Sequence, residues 1–418
     1  MYGEIITIGN ELVSGRTLDL NGWYAAGRLT AAGLQVTRVT SVGDDHEMVS
    51  EVLTRAIRSS RFVIITGGLG STEDDRTNEI VAEALKRPLT RDPQMFRRIK
   101  SHVEARGLGM TSSLEKMAWM PEGSRMLNPA GTACGFCLHE EEIRLYFLPG
   151  VPDQMRYLMD KFVLPEMLST FETLPIMRQR VLKLYGINEP RIAEIFKDIQ
   201  EEAGRVVFGF YPQFPENHVT LSLRGREEEQ VSRELDRAER RIRERLGSYI
   251  FAAGNETMEQ VVGGVLTRER LRLSVAESCT GGLIGHRLTG VPGSSDYFMG
   301  GVVAYSDDVK VRLLGVLPRT LERFGAVSDA TVREMAAGIR KTMNTDLGLA
   351  VTGIAGPGGG RKGKPVGTVF FGLAARDQVL ASRYRFGGDR EQVKRNASMM
   401  GLDWIRRFLN GDSFLPGI

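Results

Sequence analysis

Residues 62–75 read FVIITGGLGSTEDD. Phe62–Thr66 is an apolar, β-branched run and therefore a strand. The glycine-rich stretch behind it opens a helix, a place where bare backbone N–H groups can hold phosphate. It has neither the lysine of a P-loop nor the spacing of a dinucleotide fingerprint. Working back from it, the chain shows strand Glu4–Ile8, a helix from about Leu18 to Ala32, strand Leu34–Val42 and a helix from about His46 to Arg58. Such alternation folds as a parallel sheet with helices on its faces, so the fold class is α/β. Working forward, a helix-rich part runs to about Met117. Met126–Asn128, Gly135–Leu138 and Ile143–Leu148 read as further strands before Pro149-Gly150-Val151-Pro152 breaks the chain, and a helix near Leu168 closes the domain.

Two acidic pairs flank this sheet. Asp74 and Asp75 are expected in the first turn of the helix that follows the glycine-rich loop, either as caps or as ligands. Asp44 and Asp45 follow the Leu34–Val42 strand, and neighbouring strand ends in a parallel sheet lie about 5 Å apart. Up to four carboxylates therefore converge on one cleft, with Glu11 able to join them beyond Ile8. Hard oxygen ligands beside a phosphate-sized loop suit a divalent cation (Mg, Mn or Co) and a pyrophosphate-containing ligand lying against Gly67, Gly68 and Thr72.

From about Met177 to Ile250 the pattern changes: strand Arg180–Tyr185, helix Glu189–Glu202, strands Val206–Phe210 and His218–Leu223, and the highly charged helix Glu227–Leu246. Val231, Leu235, Ala238, Ile242 and Leu246 form an apolar stripe along that helix, and its acids and bases interleave on the other face. A linker around Ala253-Gly254-Asn255 opens a third unit, with a helix Met258–Leu266 and strands Leu271–Ala276, Gly300–Tyr305, Leu347–Thr352, Thr368–Ala374 and Val379–Phe386. Helices start at Asp308 and Ser328, and a last one at Asp389. The expected domains span 1–170, 171–252 and 253–418.

In the third unit Ala276-Glu277-Ser278-Cys279-Thr280-Gly281-Gly282 turns sharply from strand to helix. That setting exposes a hydroxyl beside free N–H groups, as a nucleophile needs. Ser278 is either that nucleophile or a plain helix cap, and Cys279 is a rival because a thiol ionises more readily than a hydroxyl. No histidine is an obvious base; His286 reads as a packed or surface residue. Tyr305 and Lys310 follow the next strand, so a Ser–Lys dyad assisted by tyrosine is feasible once burial makes the lysine a base near neutral pH. Thr352-Gly353-Ile354-Ala355-Gly356 opens another loop able to wrap a phosphate or polarise a carbonyl, with Lys364 and Arg390 farther along the chain.

At 418 residues the chain holds several cores, and its +3 net charge is too small a surplus to announce a nucleic-acid surface. No run approaches the ~20 apolar residues of a membrane span, and MYGEIITIGN lacks the basic and apolar regions of a leader, so cytoplasmic residence is expected. Three cysteines, Cys134, Cys137 and Cys279, make no disulfide framework. Cys134 and Cys137 have CxxC spacing, but residues three apart on a strand face opposite ways.

Taken in order, GEIITIGNELVSGRTLDLN, GGLGSTEDDRT, LNPAGTACGF, FLPGVPDQM, AESCTGG, GGVVAYSDDVK, GAVSDATV and VTGIAGPGGG…KPVGTV resemble the blocks of the CinA competence/damage-inducible family along the whole chain. The resemblance implies a MogA-like, three-layer N-terminal domain with metal-dependent ADP-ribose hydrolysis, and a KH-type α+β middle domain. It also implies a C-terminal α/β amidohydrolase that needs no cofactor and converts nicotinamide mononucleotide to nicotinate mononucleotide and ammonia. By motif, Ser278 is the nucleophile, Lys310 its base and Tyr305 the helper. Thr280, Gly281, Gly282, Thr352, Gly353, Gly356 and Arg390 hold the substrate, and Asp44, Asp45, Asp74, Asp75 and Glu11 hold the metal. Ser71 stands where the family usually has proline, and Gly186-Ile187-Asn188-Glu189 lacks the second glycine of a GXXG clamp, which argues against RNA binding. The expected assembly is a homodimer. The alternatives are a molybdopterin-binding protein and a nucleic-acid or recombination accessory module.

Overall fold

In a computed structural model of the chain, Phe62–Thr66 is a strand buried at every position. The structure describes residues 1–128, 135–140, 142–170, 175–376 and 378–417, with backbone alone at 201 and 202. They form two units, Met1–Arg178 with Arg224–Ser232, and Gln179–Leu223 with Arg233–Ile418.

The first unit is built on strands β1 (Tyr2–Ile8), β2 (Gln35–Val42), β3 (Phe62–Thr66), β4 (Leu89–Arg91), β5 (Trp119–Pro121), β6 (Arg125–Met126), β7 (Phe136–Glu140) and β8 (Ile143–Leu148). Its main sheet has the order β2-β1-β3-β8-β7-β6. β1, β2, β3 and β8 pair parallel. Side chains alternate across the sheet and give it two cores. Ile6, Ile8, Val63, Ile65 and Phe147 pack on helices His46–Ser59, Thr77–Ala84 and Pro93–Glu104. Ile5, Phe62, Ile64, Tyr146 and Leu148 pack on helix Leu20–Ala31 and the helical stretch from Pro152 to Thr170. The result is a three-layer domain.

Four details depart from expectation. β7 runs antiparallel to its neighbours β8 and β6; β7 ends at Glu140 and β8 begins at Ile143, which leaves no room for a parallel crossover between them. β1 lies between β2 and β3, so the acidic loops after those two strands flank the end of β1 rather than each other. The helix after the glycine-rich loop starts only at Thr77. Asp74 and Asp75 therefore precede it instead of forming its first turn; Asp75 closes a turn by accepting from the Thr72 N–H and hydroxyl at 3.0 and 2.6 Å. The small β4–β5 pair was not visible in the sequence, since three-residue strands carry no period.

Strands β9 (Ile176–Leu184), β10 (Val207–Gln213), β11 (Glu216–Gly225) and β12 (Ile250–Ala253) form the middle sheet, ordered β10-β11-β9-β12. β12 reaches Ala253, where the sequence read as linker, because β9 supplies its register. The stripe Val231, Leu235, Ala238, Ile242 and Leu246 is buried. Gly186 has φ +81° and packs on the C-terminal tail, where a Cβ would come within 2.2 Å of a Leu415 methyl.

The last sheet holds β13 (Leu273–Glu277), β14 (Phe298–Val303), β15 (Leu347–Gly353), β16 (Thr368–Ala375) and β17 (Gln378–Arg385), in the order β14-β13-β15-β16-β17. β13, β14 and β15 are parallel, and β16 and β17 are antiparallel. One face packs on helices Met258–Glu269, Leu283–Thr289 and Arg390–Asn410. The other packs on Asp307–Leu314 and Asp329–Met343. Helix Pro318–Phe324 was not foreseen. Among the described residues no helix is long and apolar enough to cross a membrane.

Candidate functional site

The carboxyl ends of β1, β3 and β8 open into a cavity of about 580 Å³. Its floor is the 67–70 loop. Gly67 has φ +110°, and a Cβ there would meet the Ile8 carbonyl at 2.1 Å. Thr77 anchors the loop, donating from its N–H to the Gly68 carbonyl and from its hydroxyl to the Gly67 carbonyl, each at 3.1 Å. Gly67, Gly68, Thr72, Glu11, Asp44, Asp74 and Asp75 all line the cavity. Asp44 is held there by the Asn10 N–H at 3.0 Å. Burial pushes its carboxyl above the ordinary value, the charges of Glu11, Asp74 and Asp75 push the same way, and the Asn10 bond opposes them. Asp45, expected with them, does not line the cavity: it caps helix His46–Ser59 by accepting from the Met48 N–H at 3.0 Å. Arg98 and His102 from helix Pro93–Glu104, which the sequence did not single out, also line the cavity.

In the second unit the ends of β13 and β15 border a smaller cavity of about 270 Å³. Gly281 and Gly282, at φ +62° and +95°, swing the chain from β13 into helix Leu283–Thr289. Gly282 caps that helix, so Ser278 is free of the cap role left open for it. Ser278 lines the cavity with Cys279, Tyr305, Lys310, Thr352, Gly353, Gly356 and Arg390. Lys310 is 1% exposed, and its Nζ donates to the Tyr305 and Ser306 carbonyls at 3.3 and 3.4 Å and lies 3.5 Å from Asp307. Arg390 bridges the Gly356 carbonyl at 2.6 Å and the Tyr305 hydroxyl at 2.9 Å. Burial pushes the Cys279 thiol up to about 12, which removes the easy ionisation that made it a rival.

Thr280, Gly281 and Gly282 lie outside this cavity's lining. The Gly282 N–H is already taken, with those of Ile284 and Gly285, by the Glu277 carboxylate at 3.0, 3.1 and 2.8 Å. Lys364 donates to the Phe324 carbonyl, and neither it nor His286 lines the cavity.

One further cluster, Cys137, His139 and Glu166, brings potential ligand atoms within 4.8 Å of one another. Arg125 and Arg144 both pair with Glu166, and Arg144 also meets His139 Nε2 at 3.1 Å, so guanidinium groups hold the place a cation would take. Burial raises the Cys137 thiol to about 11. Cys134 lies outside the described residues.

Family profiles match in order: a probable molybdopterin binding domain over residues 4–169, the damage-inducible protein CinA KH domain over 179–252 and the CinA C-terminal domain over 255–409. A CinA-like protein of Geotalea uraniireducens is 39% identical over 405 residues, 97% of this chain and 96% of its own. The chain belongs to the CinA family. Another CinA-like protein, of Syntrophus aciditrophicus, is 42% identical over 98% of both chains. A solved competence or damage-inducible protein from Enterobacter asburiae is 39% identical, covering 37% of this chain and 99% of that one with a TM-score of 0.36. The CinA architecture of a MogA/MoaB-like domain, a KH-like domain and a CinA C-terminal domain is thus present in full. Within it, Asp307 and Glu277 touch the machinery without having been foreseen. Both sit in quoted motifs, but a carboxylate beside a strand end looks the same in sequence whether it caps, pairs or binds.

Proposed function

We propose that the C-terminal cavity hydrolyses the carboxamide of nicotinamide mononucleotide, releasing nicotinate mononucleotide and ammonia, and that the N-terminal cavity hydrolyses ADP-ribose with a divalent cation. The observation that carries the first activity is the buried Lys310 side chain in one small cavity with Ser278. Ser278 Oγ attacks the carboxamide carbon while its proton passes to the neutral form of Lys310 Nζ. The C–N bond then breaks, the proton leaves with ammonia, and water hydrolyses the acyl ester to the acid and restores the serine. Tyr305, whose hydroxyl accepts from Arg390, lines the same cavity and is the helper assigned to relay that proton.

Mutual crowding of Glu11, Asp44 and Asp74 supports the second activity, because such a set is relieved by a bound cation. These three would hold the metal, which when bound neutralises phosphate charge and polarises the phosphoryl group. Asp75 is engaged with Thr72, and the 67–70 loop supplies the backbone wall for the pyrophosphate. A molybdopterin-binding role alone would leave Ser278, Tyr305 and Lys310 without a use.

The test incubates the full chain with nicotinamide mononucleotide, and separately with ADP-ribose and Mg, Mn or Co, and separates the products by chromatography. Ammonia with nicotinate mononucleotide, and AMP with ribose phosphate, are expected. Unchanged substrate in either arm overturns that half. Light scattering of the same sample checks for the expected homodimer.

A further inference from the structure

Past the cavity wall at Gly358 and Gly359, the chain makes a tight turn in which Arg361 and Lys364 exchange backbone hydrogen bonds at 3.0 and 2.9 Å. This turn folds back over the other wall. The Arg361 guanidinium lies against Gly325, where a Cβ would be 2.9 Å from Nη2, and Lys364 Nζ donates to the Phe324 carbonyl at 3.0 Å. The next residue, Ala326, borders the cavity. A third cation, Arg383, donates to the Gly363 carbonyl at 2.7 Å, and its buried Nε has no partner. Arg383 sits on β17 opposite Phe370, which sits opposite Thr352 of the cavity. Two strand spacings, roughly 10 Å, separate it from Thr352 on the cavity wall, and Ser278 follows β13, one strand farther.

None of these three cations has an ion pair among the described residues. Some basic groups of this domain do have a carboxylate partner: Arg287 pairs with Glu259, Arg333 with Asp329, and Arg406 and Arg407 with Asp403. The carboxyl end of helix Pro318–Phe324 offers about half a unit of negative charge, too little for three cations. Burial pushes the Lys364 ammonium below its ordinary value, and the charges of Arg361 and Arg383 push it further. Backbone bonds thus hold together charges that repel, and an anion relieves the repulsion.

We propose that Arg361, Lys364 and Arg383 form an anion subsite at the rim of the C-terminal cavity, which takes the phosphate monoester of the nucleotide whose carboxamide faces Ser278. The identity of that nucleotide rests on the deamidase assignment; the phosphate chemistry does not. The test compares ammonia release from nicotinamide mononucleotide and from its dephosphorylated nucleoside in the wild type, Arg361→Ala and Arg361→Lys. Arg361 is exposed, so its loss spares the fold. Expected is a KM for the mononucleotide at least tenfold higher in Arg361→Ala, with kcat within twofold, an unchanged KM for the nucleoside, and partial rescue by lysine. An unchanged KM, or an equal rise for both substrates, overturns the subsite. Titration of the same proteins with inorganic pyrophosphate in a calorimeter reads the subsite without turnover. Binding weakened in Arg361→Ala by a chain that releases no ammonia would uphold the subsite while the deamidase assignment falls; equal binding in both overturns it.

Discussion

The two cavities share a position and differ in sign. Each lies at the carboxyl ends of parallel strands, the side of an α/β sheet on which the loops form a ligand crevice. The N-terminal one gathers Glu11, Asp44, Asp74 and Asp75, whereas the C-terminal one gathers Lys310 and Arg390, with Arg361, Lys364 and Arg383 on its rim. Both proposed substrates are phosphates. A carboxylate-lined cleft meets one by recruiting a cation, and a lysine- and arginine-lined cleft meets it with side chains. The same α/β scaffold therefore supports opposite electrostatic solutions, decided by a few residues in the loops.

The sharpest way to break this contrast is at the nucleophile. Ser278→Ala and Lys310→Ala should each lower ammonia release at least ~10⁴-fold, about 5 kcal/mol of barrier, and leave ADP-ribose cleavage alone. Activity retained by Ser278→Ala but lost by Cys279→Ala would replace the Ser–Lys scheme with a thiol one. Next in size is a stability effect confined to the second unit. Asp403 is fully buried and pairs with both Arg406 and Arg407 at 2.6 Å, and these also bind Ser248. Asp403→Ala leaves the buried Arg407 without a counter-charge and Arg406 with only the partly exposed Asp412 at 3.7 Å, and should cost about 3–5 kcal/mol, read by denaturant unfolding. A loss below about 1 kcal/mol would show that Ser248 and water suffice.

In the first unit, Asp74→Asn should reduce metal-stimulated ADP-ribose cleavage at least ~100-fold with ammonia release within twofold, because the cores are separate. Equal losses in both assays would mean general unfolding. A smaller effect concerns pH. Asp44 has a raised pKa, so its folded form holds a proton more tightly than the unfolded chain does, and its ionised form costs stability above that pKa. Metal-stimulated cleavage should fall away as pH drops through a range above that of ordinary carboxylates, and Asp44→Asn should raise Tm in metal-free buffer at neutral pH. A lower Tm would assign Asp44 a purely structural role. The smallest expected change is Cys279→Ala, which should keep ammonia release within about threefold and abolish what little alkylation the buried thiol allows.

Much of this was legible before the structure. The alternation around FVIITGGLG is a local pattern, and strands of that composition must be covered on both faces. The stripe from Val231 to Leu246 and the strand-to-helix turn at Ser278 are local as well. Asp44 and Asp45, by contrast, are adjacent in sequence and equivalent by composition, yet one faces the cavity and the other caps a helix. Backbone direction at the helix entry separates them, and no residue type reports that direction.

Periodicity and turn chemistry act over a few residues, so the α/β class, the glycine-rich loops, and the presence of Ser278, Tyr305 and Lys310 in their family motifs were readable along the chain. Which of these groups meet depended on how the chain folds. The tertiary structure set β1 between β2 and β3, buried Lys310 beside the serine cavity, gave the helix N-terminus to Glu277 rather than to a ligand, and folded Arg361 and Lys364 over Phe324 and Gly325. Those outcomes depend on sheet order and on contacts between residues distant in the chain, which the hydrophobic pattern of any one segment leaves open.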